Sequence, residues 1–242
     1  MTKQNSDIVV FVKEPIPGHV KTRLNKKLDP FISCSLYKAF VEDFLSALKD
    51  MRNARITIAC KGRVQHVQDW IGDQKFYFVS QGRGDLGDRM LRLFKHVFSK
   101  GAKRCIILGS DSPTLPISFI NTALRALIRK DIVIGPAWDG GFYLIGVRQV
   151  PPKGIFRNVS WSKSYTLKQL IFQIKEHGMA LKLLHPWYDI DDVKGLDLLK
   201  THLFAIQYAT GLKHKKTWSV ISQLASKKRN HLKKRNRRSL HV

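Results

Sequence analysis

A chain of 242 residues with 43% hydrophobic content carries enough apolar side chains for one α/β core. Its three distant cysteines (Cys34, Cys60, Cys105) and nine scattered histidines exclude a disulfide framework and zinc-type ligand spacing. The net charge of +25 is uneven: Lys213 to Val242 hold eleven Lys or Arg and no acid, and the remaining 32 basic and 18 acidic residues leave +14 for the first 212 positions. A basic body suits an anionic ligand such as a nucleotide, although charge says little about fold. Polar Thr2 to Asp7 precede only a short apolar run, and no apolar stretch approaches about 18 residues, so neither a secretory signal nor a membrane span is expected. Together with the cysteine usage this predicts a reducing, cytoplasmic location.

Ile8 to Val12 is an apolar, β-branched run that predicts a first, central strand. It leads into Lys13-Glu14-Pro15-Ile16-Pro17-Gly18-His19-Val20-Lys21-Thr22-Arg23-Leu24, where two prolines and a glycine forbid regular structure. Lys13, Lys21 and Arg23 surround this loop. Backbone N–H groups and cations after a strand suit phosphate, but the Walker spacing and the dinucleotide fingerprint are both missing. A surface loop with solvated charges explains the same residues.

Ser33 to Met51 predicts a helix with Leu36, Phe40, Phe44, Leu48 and Met51 on one face. Strands follow at Arg55 to Cys60 and Phe76 to Val79, with a short helix over Val64 to Ile71 between them. Gln81-Gly82-Arg83-Gly84-Asp85-Leu86-Gly87 is a glycine-rich loop that a ligand can approach closely. Asp85 also reads as the N-cap of the helix that carries Met90, Leu93, Phe94 and Val97 inward.

The apolar run from Cys105 to Leu108 ends in Gly109, Ser110 and a single carboxylate, Asp111. A buried strand that delivers one Asp to the carboxyl edge of an open α/β sheet places it where ligands bind, and carboxylate oxygen suits Mg²⁺. Asp111 reads equally as the cap of a helix running from Pro116 to about Arg129. Ile132 to Ile134 predicts a further strand, and Asp139-Gly140-Gly141 a turn into an antiparallel partner ending at Gly146. Ser162 to His177 predicts a helix, Ala180 to Leu184 a strand, Trp187 to Asp192 an acidic loop, and Val193 to Ala209 a closing helix. The alternation argues for a mainly parallel sheet with helices on both faces. It suggests one domain over residues 1–211 and a basic tail over 212–242.

Five separated blocks now agree in order: Lys13-Glu14-Pro15 through Leu24, Gln81 through Met90, Gly109 through Pro116, Gly135-Pro136-Ala137 through Gly146, and Trp187 through Asp191. Together they resemble DUF2064, an uncharacterised bacterial family of A-type glycosyltransferase-like proteins, also called radical-SAM/selenodomain-associated transferases. The resemblance spans about residues 7 to 208. It implies a Rossmann-like α/β/α sandwich, of the nucleotide-diphospho-sugar transferase type, with one reversed strand and a nucleotide or sugar nucleotide over the carboxyl edge. It further implies that Asp111 and Asp191 share one Mg²⁺ or Mn²⁺ against the diphosphate. Lys13, Gly18, Lys21 and Arg23 would form the phosphate loop, and Gln81 and Gly84 the stretch that reads the base. Lys21 lies off any apolar face and is expected to present a solvent-accessible charge. The family often continues Asp-Ile-Asp with Thr-Pro-Glu-Asp-Leu, whereas here Asp192-Val193-Lys194-Gly195-Leu196 follows, so Asp192 reads as a helix cap.

The leading functional expectation is metal-dependent glycosyl transfer from a nucleotide-diphospho-sugar to an unknown acceptor, with Lys21 assisting departure of the diphosphate and Asp139 touching the sugar or acceptor. The alternative is nucleotidyl transfer with release of pyrophosphate, because Lys21-Thr22-Arg23-Leu24 looks similar to the Lys-Ser-Arg-Leu loop of phospholactate guanylyltransferases. A third is a non-catalytic nucleotide or RNA binder. Trp218, Ile221, Leu224 and Ala225 recur at helical spacing in the basic tail. That tail reads first as a solvated extension, next as a contact for an anionic membrane surface, and last as a non-specific RNA contact.

Overall fold

The computed structural model describes residues 5–51, 54–72, 74–211 and 214–224. Among these the chain forms two compact units. One runs up to Pro15 and over Phe44–Asp189; the other takes Ile16–Asp43 and the chain from Ile190 onward.

The first unit is built on a seven-stranded sheet: β1 (Ser6–Lys13), β2 (Arg55–Lys61), β3 (Tyr77–Ser80), β4 (Arg104–Leu108), β5 (Ile132–Pro136), β6 (Phe142–Val147) and β7 (Leu181–Leu183), in the order β3-β2-β1-β4-β6-β5-β7. Every pairing is parallel except those of β6, which runs antiparallel to both β4 and β5. The mainly parallel sheet with one reversed strand is therefore as the sequence predicts. The Asp-Gly-Gly turn sends β6 back between its neighbours, placing Ile107 opposite Ile145 and Ile134 opposite the same residue.

Val9, Ala59, Ile107, Ile134 and Ile145 form one buried face with Met90, Leu93 and Phe94 of α3 (Leu86–Ser99) and Leu170 and Ile174 of α5 (Thr166–Glu176). On the other face Gly146 lies against Ile106 and Leu127, the residue that ends α4 (Ile117–Ala126). Because helices cover both faces, the strands read as continuous apolar runs rather than alternating ones. At the amino edge Arg55 donates to both carboxylate oxygens of the buried Asp7, at 2.8 and 2.7 Å. That bidentate pair is structural and stands at the far end of the strands from their carboxyl edge.

The second unit holds the loop from Ile16, most of α1 (Pro30–Leu48), α6 (Val193–Thr210) and a helix over 215–224. Helix α1 starts three residues before the predicted Ser33. Asp29 accepts the Phe31 N–H at 2.8 Å as a cap, and Pro30 fills the first helical position, where its missing N–H is harmless. Asp192 caps α6 by accepting the Gly195 N–H at 2.9 Å, as read from the sequence.

The helix over 215–224 is tied to α1: Asp43 accepts the Thr217 N–H at 2.8 Å, and Lys216 pairs with Glu42 at 2.8 Å. Ile221 is buried, so the Trp218–Ile221 stripe, read first as part of a solvated extension and only second as a membrane contact, is partly spent inside the protein. Ala225 and Lys227 to Arg238 lie outside the described residues. No helix among the described residues is long and apolar enough to cross a membrane.

Candidate active site

The site begins with the sheet. Six strands point the same way, so the loops after β1, β2, β3, β4, β5 and β7 all leave from one edge of the first unit. Charge is divided along that edge.

Lys13 and Lys61 end the paired strands β1 and β2 at the same register position. The ammonium of Lys61 is held below its usual range, first by burial and then by the nearby Arg89 and Lys13 cations. The acids on this side are engaged locally. Glu14 accepts the Arg63 N–H at 2.9 Å and faces His66 Nδ1 at 2.6 Å, while Asp85 and Asp88 close a capping box on α3. The predicted cap at Asp85 is thus present, in the reciprocal form that satisfies two N–H groups.

The glycine-rich loop after β3 is pinned by two arginines. Arg92 donates to the carbonyls of Gln81 and Arg83 at 2.7 and 2.9 Å, and Arg89 donates to that of Gly84 at 2.9 Å. Gly84 has φ +97°, and a Cβ there would collide with Asp88, so only glycine fits. The Gln81 side chain is turned inward: its amide donates to the Ala59 carbonyl at 2.9 Å, and its oxygen lies 3.5 Å from Arg89. Its amide is thus committed to fixing the loop rather than pointing outward.

The β4, β5 and β7 side carries the carboxylates. Asp111 follows β4 directly, as the sequence predicts, and it does not cap α4, whose N-cap is Pro116 without a side-chain bond. The loop behind Asp111 is stitched to the one after β7: Ser112 Oγ donates to the Tyr188 carbonyl at 2.9 Å, and Thr114 Oγ1 and the Tyr188 hydroxyl bond at 2.9 Å. Asp139 accepts the Gly141 N–H through Oδ1 at 2.8 Å, so its turn-forming role is real. A carboxylate oxygen of Asp139 and one of Asp189 lie within 4.8 Å of each other.

The Asp139 turn is also gripped from outside. Gly140, at φ +86°, lies so close to the Ser164 backbone that a Cβ would overlap its carbonyl, and Gly140 accepts the Leu167 N–H at 2.9 Å. The gripping segment contains two non-glycine residues with positive φ, Asn158 and Ser162. Strain of this kind persists only where surroundings over-determine it.

Asp189, Lys61 and Arg89 were missed as individual site residues in the sequence. Lys61 carried no local signal, whereas Arg89 is a matched position of the Gln81–Met90 block without an assigned role. Asp189 carried a local signal: it stands in an acidic loop of an otherwise basic chain.

In the second unit the sequence-predicted residues Lys21, Arg23 and Asp191 come together, but not as expected. Lys21 is buried rather than solvent-accessible, and that expectation is corrected. Its ammonium donates to the Ile190 carbonyl at 2.7 Å, lies 3.6 Å from Asp191, and sits 5.7 Å from the centre of the Phe40 ring. Lys21 also has φ +48°, which turns the chain so that the side chain points inward. The cause is non-local: the carbonyl and carboxylate that draw it in arrive about 170 residues later. Arg23 reaches the same carboxylate, at 3.0 Å, with its side chain 61% exposed. Gly18 sits at φ +83° on the exposed part of the loop.

Residues 44–163 match the model of a family described as an uncharacterized protein conserved in bacteria (DUF2064), which bears out the resemblance carried by the motifs. None of the curated proteins matches the chain. Among solved structures the chain is similar to a candidate nucleotide-diphospho-sugar transferase from Desulfovibrio desulfuricans, at 29% identity over 93% of this chain and 96% of that one, with a TM-score of 0.84. It is also similar to a 4-diphosphocytidyl-2C-methyl-D-erythritol synthase from Anaerococcus prevotii (11% identity, 83% and 97% covered, TM-score 0.54). A third is a cytidylyltransferase from Leptospira borgpetersenii (11%, 93% and 96%, TM-score 0.54). The likeness to the last two shows the fold alone.

Proposed function

We propose, from the DUF2064 match over residues 44–163 as premise, that the chain is a transferase acting on a nucleotide-linked substrate. More narrowly, it moves a glycosyl group from a nucleotide-diphospho-sugar to an acceptor with the help of Mg²⁺ or Mn²⁺. The observation that carries this is the division of charge along the carboxyl edge, with Lys13, Lys61 and Arg89 toward β1 and β2, and Asp111, Asp139 and Asp189 toward β4, β5 and β7. A nucleotide-diphospho-sugar has the matching polarity: an anionic diphosphate and a neutral sugar rich in hydroxyls.

The donor set is oxygen-only, which fits a hard divalent cation. Asp111, in the first unit, is assigned as one of its carboxylates, as the family resemblance implies. Such an ion supplies neutralisation of charge on the departing diphosphate. The remaining roles belong to the chain. Lys13, Lys61 and Arg89 bind the phosphates. The pinned loop at Gly84 takes the base against its backbone. Lys21 positions the phosphate loop by holding it to Ile190. In the transfer the bond from the sugar to the diphosphate oxygen breaks, a bond to an acceptor oxygen forms, and Asp139 receives the acceptor's proton.

The second reading, nucleotidyl transfer from a nucleoside triphosphate, is favoured by the Lys21-Thr22-Arg23-Leu24 resemblance and by the same cationic strand ends. Thermal denaturation in Mg²⁺ with each nucleoside triphosphate, diphosphate and sugar nucleotide tests both. The account expects sugar nucleotides to raise the melting temperature most. Stabilisation by a triphosphate alone favours the second reading, and no shift with any nucleotide rejects both.

A further inference from the structure

The loop after β5 carries a largely exposed tryptophan. Trp138 is 67% exposed, next to Asp139 at the carboxyl edge. Its ring lies 5.9 Å from that of Tyr188. Tyr188 stacks on Trp187 at 5.5 Å, and Trp187 meets Phe119 edge-on at 5.4 Å. A row of aromatic rings thus backs the exposed indole and fixes its direction, while the Gly140–Ser164 grip fixes the backbone beside it.

We infer that Trp138 is the platform for the acceptor, and that the acceptor presents a pyranose ring. This rests on the transferase reading above and names its acceptor class. A pyranose has a face of C–H groups that carry slight positive charge and lie favourably on an indole π-face. Each of its hydroxyls can turn its O–H toward a carboxylate oxygen of Asp139 or Asp189, which a base edge with fixed acceptors cannot do. A phosphate on this platform would be repelled by both carboxylates. A nucleobase presents acceptors as well as donors on its edge, and the acceptors would face carboxylates with nothing to give. Trp138 is 67% exposed, so a ring can reach it from solvent, as an incoming acceptor must.

The test is saturation-transfer NMR on the full chain with methyl glycosides of glucose, mannose and N-acetylglucosamine, repeated with Trp138→Ala and Trp138→Phe. Expected is transfer to the ring C–H protons of at least one glycoside, weaker by about tenfold in apparent affinity with Trp138→Ala and largely restored with Trp138→Phe. The inference is overturned if the wild type binds no glycoside, if Trp138→Ala binds as well as wild type, or if a sugar nucleotide displaces the glycoside, which would assign the platform to the donor. Nucleotide-induced thermal stabilisation of the wild type reads the parent function separately: its presence with a failed glycoside test sinks only the acceptor assignment.

Discussion

Ser112 and Tyr188 are joined by a hydrogen bond from the serine hydroxyl to the tyrosine carbonyl, at 2.9 Å. Each partner is one residue from a carboxylate, Asp111 on one side and Asp189 on the other. The bond therefore fixes two acidic loops that come from strands far apart in the chain. Ser112→Ala is expected to cost about 0.5–1.5 kcal/mol of stability. Mn²⁺ affinity should fall with it. Unchanged unfolding and unchanged Mn²⁺ titration would show that the stitch does not position the carboxylates.

Lys21 and Arg23 meet the same carboxylate from different environments, so their substitutions should differ. Lys21→Ala removes a buried charge-assisted bond to the Ile190 carbonyl and is expected to destabilise by about 1.5–3 kcal/mol. Arg23→Ala, at an exposed pair, should cost no more than about 1 kcal/mol. Chemical denaturation of both variants checks the order. An Arg23 effect larger than that of Lys21 would contradict the structural role given to Lys21.

Gly140→Ala forces a side chain into the Ser164 backbone at a left-handed position. Left-handed strain alone costs about 1 kcal/mol, and the overlap adds to it. The melting temperature should fall, and Asp139 should lose its fixed position, so transfer should fall more than stability does. Wild-type stability and activity in this variant would mean that the turn is not gripped as described.

Glu14 links stability to pH. The Arg63 N–H first, and then His66, hold its carboxyl below the ordinary range. A folded value below the unfolded one gives stability that is present above the unfolded pKa of about 4.3 and is lost as pH falls through the folded value. Glu14→Gln should therefore lose less stability than wild type between about pH 6 and pH 3. Parallel curves for the two proteins would rule out that contribution.

Much of this was legible in the sequence because it is local. Strand ends, the Asp-Gly-Gly turn into β6, the cap at Asp85 and the cap at Asp192 each rest on a few neighbouring residues. What was not legible depends on distant partners. Lys21 looked like a free cation until Ile190 and Asp191 came back to it. Gln81 looked like a base reader, although strands β1 and β2 lie close enough to take its amide. Trp138 gave no signal beyond being one aromatic in a loop, because the ring that orients it comes from Tyr188. Helix α1 began early because Asp29 and Pro30 form a start signal ahead of the apolar periodicity that set the prediction.

The central claim is transfer from a nucleotide-diphospho-sugar, and phosphorus NMR of the products tests it most directly. The full chain is incubated with Mg²⁺ or Mn²⁺, a pyranoside acceptor and, separately, sugar nucleotides or nucleoside triphosphates with a sugar phosphate. The account predicts nucleoside diphosphate from a sugar nucleotide, no pyrophosphate from any triphosphate, and loss of the reaction in Asp111→Asn. Pyrophosphate released from a triphosphate, with no nucleoside diphosphate from any sugar nucleotide, would contradict it.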